Sequence, residues 1–76
     1  MNKIADHISL AISHADQSIL ELELAKQELE ESHAASLEEI KNKSTCLLYI
    51  QGSIIKAIEY KEHLVWINSK IKGVIK

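Results

Sequence analysis

The fold is decided by the run Ile19-Leu20-Glu21-Leu22-Glu23-Leu24-Ala25-Lys26-Gln27-Glu28-Leu29-Glu30-Glu31-Ser32-His33-Ala34-Ala35-Ser36-Leu37-Glu38-Glu39. Its first thirteen residues repeat apolar side chains at helical spacing: Leu22 and Leu29 lie seven apart, with Ile19 three before Leu22. Its last four form a capping box. The Ser36 hydroxyl can accept from the Glu39 amide while the Glu39 carboxylate reaches back to the free amides of the new helix start. Glu38 and Glu39 also sit at the positive end of that helix's dipole. The polar segment Ser32 to Ser36 between them reads as a turn. This predicts helix one over about residues 3 to 31, a turn at about 32 to 36 and helix two over about 37 to 72, within a single domain spanning 1 to 76. A rival turn, Asn42 to Thr45, also carries cap-forming residues.

Towards the amino terminus the helical pattern continues. Ile4, Ile8, Ala11, Ile12, Ala15, Ile19, Leu22 and Leu29 fall in one stripe at about 100° per residue. In heptad terms Ile8, Ala15, Leu22 and Leu29 hold one seam position and Ile12, Ile19, Lys26 and His33 the other. Towards the carboxyl terminus Ile40, Leu47, Ile54, Lys61, Asn68 and Ile75 recur every seven residues, accompanied by Ile50, Ala57, Leu64 and Ile71. Two heptad helices and no third strong period predict an all-α antiparallel two-helix hairpin, coiled-coil-like, with Gly52 as the point where helix two could kink. The polar seam residues Lys26, His33, Lys61 and Asn68 either fix register or lean out to solvent at frayed ends.

Composition agrees with helices. The 76 residues contain three aromatics (Tyr49, Tyr60, Trp66), no Phe, no Pro and two glycines, a poor recipe for a sheet. A single cysteine, Cys46, excludes an internal disulfide and reads as a reduced thiol beside the seam, in a place where a small buried hydrophobe is common. Net charge is −2, unevenly distributed: residues 1 to 39 hold two lysines against nine acids, and residues 40 to 76 hold seven lysines against two. Arms of opposite sign suit antiparallel pairing within a chain. With no arginine, the bidentate contacts that read phosphates and base edges are absent, so nucleic acid is not the expected partner. The longest uncharged run, Ser44 to Ile55, is too short to span a bilayer, which needs about 20 residues. The amino terminus has an acid where a signal peptide would begin its apolar region, and the expected location is the cytoplasm.

A hairpin uses one apolar stripe per helix, yet both helices carry more. Leu10, Leu20 and Leu24 lie off the first seam; Leu48, Ile55 and Trp66 form one surplus stripe on helix two, and Tyr49, Tyr60, Ile67 and Val74 another. Exposed apolar area of this extent marks a binding face, and Trp and Tyr are frequent anchors of one. The alternative is that a further helical segment or a kink at Gly52 hides them within the monomer. The expected partner surface is therefore Leu48, Ile55, Tyr60, Trp66, Ile67, Leu20 and Leu24, set against a hairpin seam of Ile8, Ile12, Ile19, Leu22, Leu29, Leu47, Ile50, Ile54, Leu64 and Ile71.

Chemistry has little foothold in the pattern. His7 and His14 are two turns apart without a chelating partner on the same turn, and Glu59 with His63, although correctly spaced, supplies two ligands only. The acids between Glu21 and Glu39 read as a solvated helix face, since nothing would desolvate two of them together. No phosphate loop, nucleophile elbow or Ser-His-Asp arrangement stands out. The expectation is a non-enzymatic binding module without cofactor or metal.

The run Ile19 to Glu31, the polar turn, and Leu47-Leu48-Tyr49-Ile50-Gln51-Gly52-Ser53-Ile54-Ile55-Lys56-Ala57-Ile58-Glu59-Tyr60 together resemble the small co-chaperones of bacterial type III secretion systems that accompany the needle subunit's chaperone. The likeness covers about two-thirds of the chain and lies in size, hairpin layout and an Ile/Ala-rich second helix bearing tyrosines. The turn departs from the family's frequent Gly, Asp or Pro. The resemblance implies a cytosolic heterodimer with a tetratricopeptide-like chaperone, the pair keeping the needle subunit monomeric and soluble. Two other readings stay open: a homo-oligomeric coiled-coil scaffold, and a small regulatory protein such as an antitoxin or a phage-encoded inhibitor.

Overall fold

The computed structural model describes residues 3–74 as two helices, α1 (Lys3–Glu31) and α2 (Leu37–Val74), folded into an antiparallel hairpin. Both helices follow from the three-four spacing of their apolar residues. On α1 the side chains turned inward are Ala5, Ile8, Ile12, Ala15, Ile19, Leu22, Lys26 and Leu29, each three or four residues after the last. On α2 they are Lys43, Leu47, Ile50, Ile54, Ala57, Lys61, Leu64, Asn68 and Ile71, again at alternating steps of four and three. This is the heptad seam of a coiled coil closed within one chain.

The core is thin. Ala15 and Ile54, at 5% and 6% exposed, are the buried hydrophobic residues, and the other seam side chains stay half-covered. The molecule measures 60 × 15 × 12 Å, one helix pair in cross-section. Its long dimension matches a straight α2, whose 38 residues span about 57 Å. There is accordingly no sharp kink at Gly52, and α2 runs unbroken through the rival turn at Asn42 to Thr45. No third segment among the described residues folds back over the surplus stripes.

The turn is held from both sides. Ser36 is the N-cap of α2: the Glu39 amide donates to its Oγ at 3.1 Å. The return bond differs by one residue from the usual box, because the Glu39 carboxylate accepts from the Ala35 amide at 2.7 Å. On the other side α1 has no basic residue in its last turn, and α2 supplies one. Lys43 Nζ donates to the Glu30 and Ser32 carbonyls at 3.0 and 2.7 Å, placing a cation on the negative end of the α1 dipole. The Ser32 amide and hydroxyl both donate to the Leu29 carbonyl.

Several sequence expectations change here. Ile40 leaves the seam: it is 49% exposed, because its turn of α2 lies beside the connection where α1 has already ended, and Lys43 is the residue turned inward at this end. Ile4 is exposed at the edge of α1, and His33 stands exposed in the turn instead of entering the seam. Cys46 is exposed, not core, since it lies at the flank of the seam where the connection leaves it uncovered. Ile75 and the side chain of Val74 lie outside the described residues.

Candidate functional site

Two polar residues of the seam, Lys61 and Lys26, are paired across the hairpin. Lys61 Nζ lies 2.6 Å from Asp16 Oδ1, and Lys26 Nζ donates to Gln51 Oε1 at 2.7 Å while lying 3.9 Å from Glu30. Both lysines run their aliphatic stems along the seam and place the ammonium at its edge. The Lys61–Asp16 and Lys26–Gln51 contacts each join α1 to α2 at one register, so these residues position the two helices against each other. The exposed ion pairs add little stability, about 0.2–1 kcal/mol each at most.

The surplus apolar side chains remain outside. Leu48 and Tyr49 are each 73% exposed, Trp66 62% and Tyr60 56%, with Ile55, Ile67, Leu20 and Leu24 also exposed. They do not form one patch. Leu48 and Ile55 belong to the side of α2 on which Ile58 and Val65 line an open groove with Asp16, Ile19, Lys61 and Glu62. Further along that groove Gln51 and Ile58 face Glu23 and Glu30 of α1. Tyr60 lies on the opposite side of the hairpin, over a groove whose α1 wall is His14 and the small residues Ala11, Ala15 and Ser18. Ile67 follows Tyr60 by seven residues and shares its side, while Trp66 and Tyr49 occupy the outward surface between the two rows. Lys70 lies over the Trp66 ring, 5.8 Å from its centroid, at i+4. Leu20 and Leu24 stand on α1, away from α2.

Ile58 and Val65 were not among the residues expected at a partner surface. The signal for them was present: Leu48 and Ile55, and Ile58 and Val65, lie seven apart, with Ile58 three after Ile55, a second heptad row on α2 beside the seam. Trp66 lies off this row, on the outward surface of α2.

Among the described residues no cluster of three or more His, Cys, Asp or Glu is placed to hold a metal ion. Glu59 and His63 are both exposed, and the grooves that flank Ile58 are open and lined by aliphatic, charged and amide side chains. Nor does any described helix have the length and apolarity to cross a membrane. Compared with known proteins, the chain matches no family model, no curated protein and no solved structure.

Proposed function

We propose that the chain is a non-enzymatic helical binding module that works by burying the outer face of α2 against a protein partner and stabilising that partner's fold. The observation that carries this reading is the inversion of burial. Trp66, Tyr60 and Tyr49, the three aromatics of the chain, stand exposed, while the buried ones among the described residues are an alanine and an isoleucine. Exposing large amphipathic rings has no role in holding the hairpin together, whereas such rings are the usual anchors of an interface.

The partner assigned to Trp66, Tyr60 and Ile67 is a helical-repeat protein of the tetratricopeptide type, acting as the chaperone of a needle-type secretion subunit in the cytoplasm. Support for it is the resemblance of the two helical runs together with the shape of the chain. A rod about 60 Å long and one helix pair thick is narrow enough for a concave superhelical groove to cover along its length.

The test is affinity capture of the tagged chain from its native cytosol with mass spectrometry of what accompanies it, repeated with Tyr60→Asp and Trp66→Asp. Recovery of a helical-repeat protein by the parent chain, lost in both variants, supports the reading. Recovery of no other protein, or equal recovery by the variants, would overturn it.

A further inference from the structure

The second heptad row of α2 has a property that a general binding face does not need. In order along the helix it reads Ser44, Leu48, Gln51, Ile55, Ile58, Glu62, Val65, Ser69, and its sequence of polar and apolar positions is the same in both directions. We infer that this row is covered by a second copy of the chain, α2 against α2, antiparallel about a two-fold axis between Ile55 and Ile58. In that register Leu48 meets Val65 of the second copy, Ile55 meets its Ile58, and Gln51 meets its Glu62, with Ser44 and Ser69 closing the ends. Each layer pairs like polarity with like polarity, as the alternating layers of an antiparallel coiled coil require.

Charge sets the direction. A parallel pair would stack Glu62 on Glu62, whereas the antiparallel one gives each Glu62 carboxylate an amide donor. Gln51 is already oriented for this: Lys26 holds its Oε1 at 2.7 Å, which leaves the NH2 group to donate.

Area points the same way. The chain exposes 6079 Å², while a compact monomer of 8.6 kDa exposes about 4,700 Å². The excess, roughly 1,400 Å², exceeds the roughly 800 Å² per partner of a standard interface. Gly52 fits as well. It lies in mid-helix, one turn from Leu48 and Ile55, and a Cβ built on it meets nothing within 4 Å, so no contact inside the chain asks for a glycine there. A second helix packed close to this face does.

This pairing leaves Tyr60 and Ile67, on the opposite side of the hairpin, and Trp66, on the outward surface, to the partner proposed above. Sedimentation equilibrium of the purified chain is expected to give twice 8.6 kDa, and Ile58→Asp to give a single helical chain. Should Ile58→Asp lose helicity, Leu48→Lys, outside every contact of the hairpin, decides in its place. A parent chain that stays monomeric, or a helical variant that stays dimeric, would overturn the inference. Register is read separately, in a Cys46→Ser background. Gln51→Cys and Glu62→Cys are each expected to stay uncrosslinked alone and to form a disulfide-linked dimer when mixed; crosslinking of either alone, or none in the mixture, contradicts the antiparallel pairing. A monomer that still captures a helical-repeat protein overturns the dimer and leaves the function standing, and a dimer that captures nothing does the reverse.

Discussion

α2 carries two heptad rows of similar composition with opposite fates. The row from Leu47 to Ile71 faces α1 and contains the buried Ile54; the row from Leu48 to Val65, one residue further round, faces open space. Both have isoleucines at their centre and a charged residue towards the carboxyl end, Lys61 in one and Glu62 in the other. The difference is what stands opposite. Lys61 finds Asp16 on α1, and Glu62 finds no ion-pair partner among the described residues. A helix with the capacity for two partners has been given one by its own chain, and the second face is left largely uncovered.

Breaking the covered row has the largest expected effect. Ile54→Ala should cost about 2–4 kcal/mol in chemical denaturation, since it empties the one large buried position, while Leu48→Ala, under conditions where the chain is a single molecule, should lie within about 0.5 kcal/mol of the parent. Next comes the cap that sets the register of both rows: Ser36→Ala removes the acceptor for the Glu39 amide and should destabilise by about 1 kcal/mol. The bare row can be sharpened by Gly52→Ala, which adds a Cβ into free space and should stabilise the isolated hairpin by about 0.5–1 kcal/mol in a thermal melt. Smallest is Asp16→Asn. It removes the partner of Lys61, and because that pair is exposed the loss should be no more than about 0.5 kcal/mol and should vanish in high salt.

The hairpin itself was legible in the sequence because helix periodicity and a capping box are local signals. Ile8, Ile12, Ile19 and Leu22 could be placed against Leu47, Ile50, Ile54 and Leu64 from spacing alone, and all eight turn inward. What spacing could not reveal is where the opposing helix stops. Ile40 continues the heptad count of α2 but has no α1 turn beside it, and Lys43 goes inward because it meets the free carbonyls at the end of α1, a tertiary fact. Cys46 failed for a related reason: its flank of the seam is left open by the connection. The outward residues Leu48, Tyr60 and Trp66 were legible as surplus, but their division between two sides of the hairpin, and the continuation of the Leu48 row through Ile58 and Val65, needed the handedness of the pairing.

The central claim is that the rows outside the seam bind and do not fold the chain. It is tested most directly by far-ultraviolet circular dichroism of the double variant Leu48→Asp/Tyr60→Asp, which places one acid in each exposed row. The account predicts the helical spectrum of the parent hairpin in a chain that has lost its associations. A variant that is unfolded under the same conditions would show that these side chains belong to the core, and would contradict it.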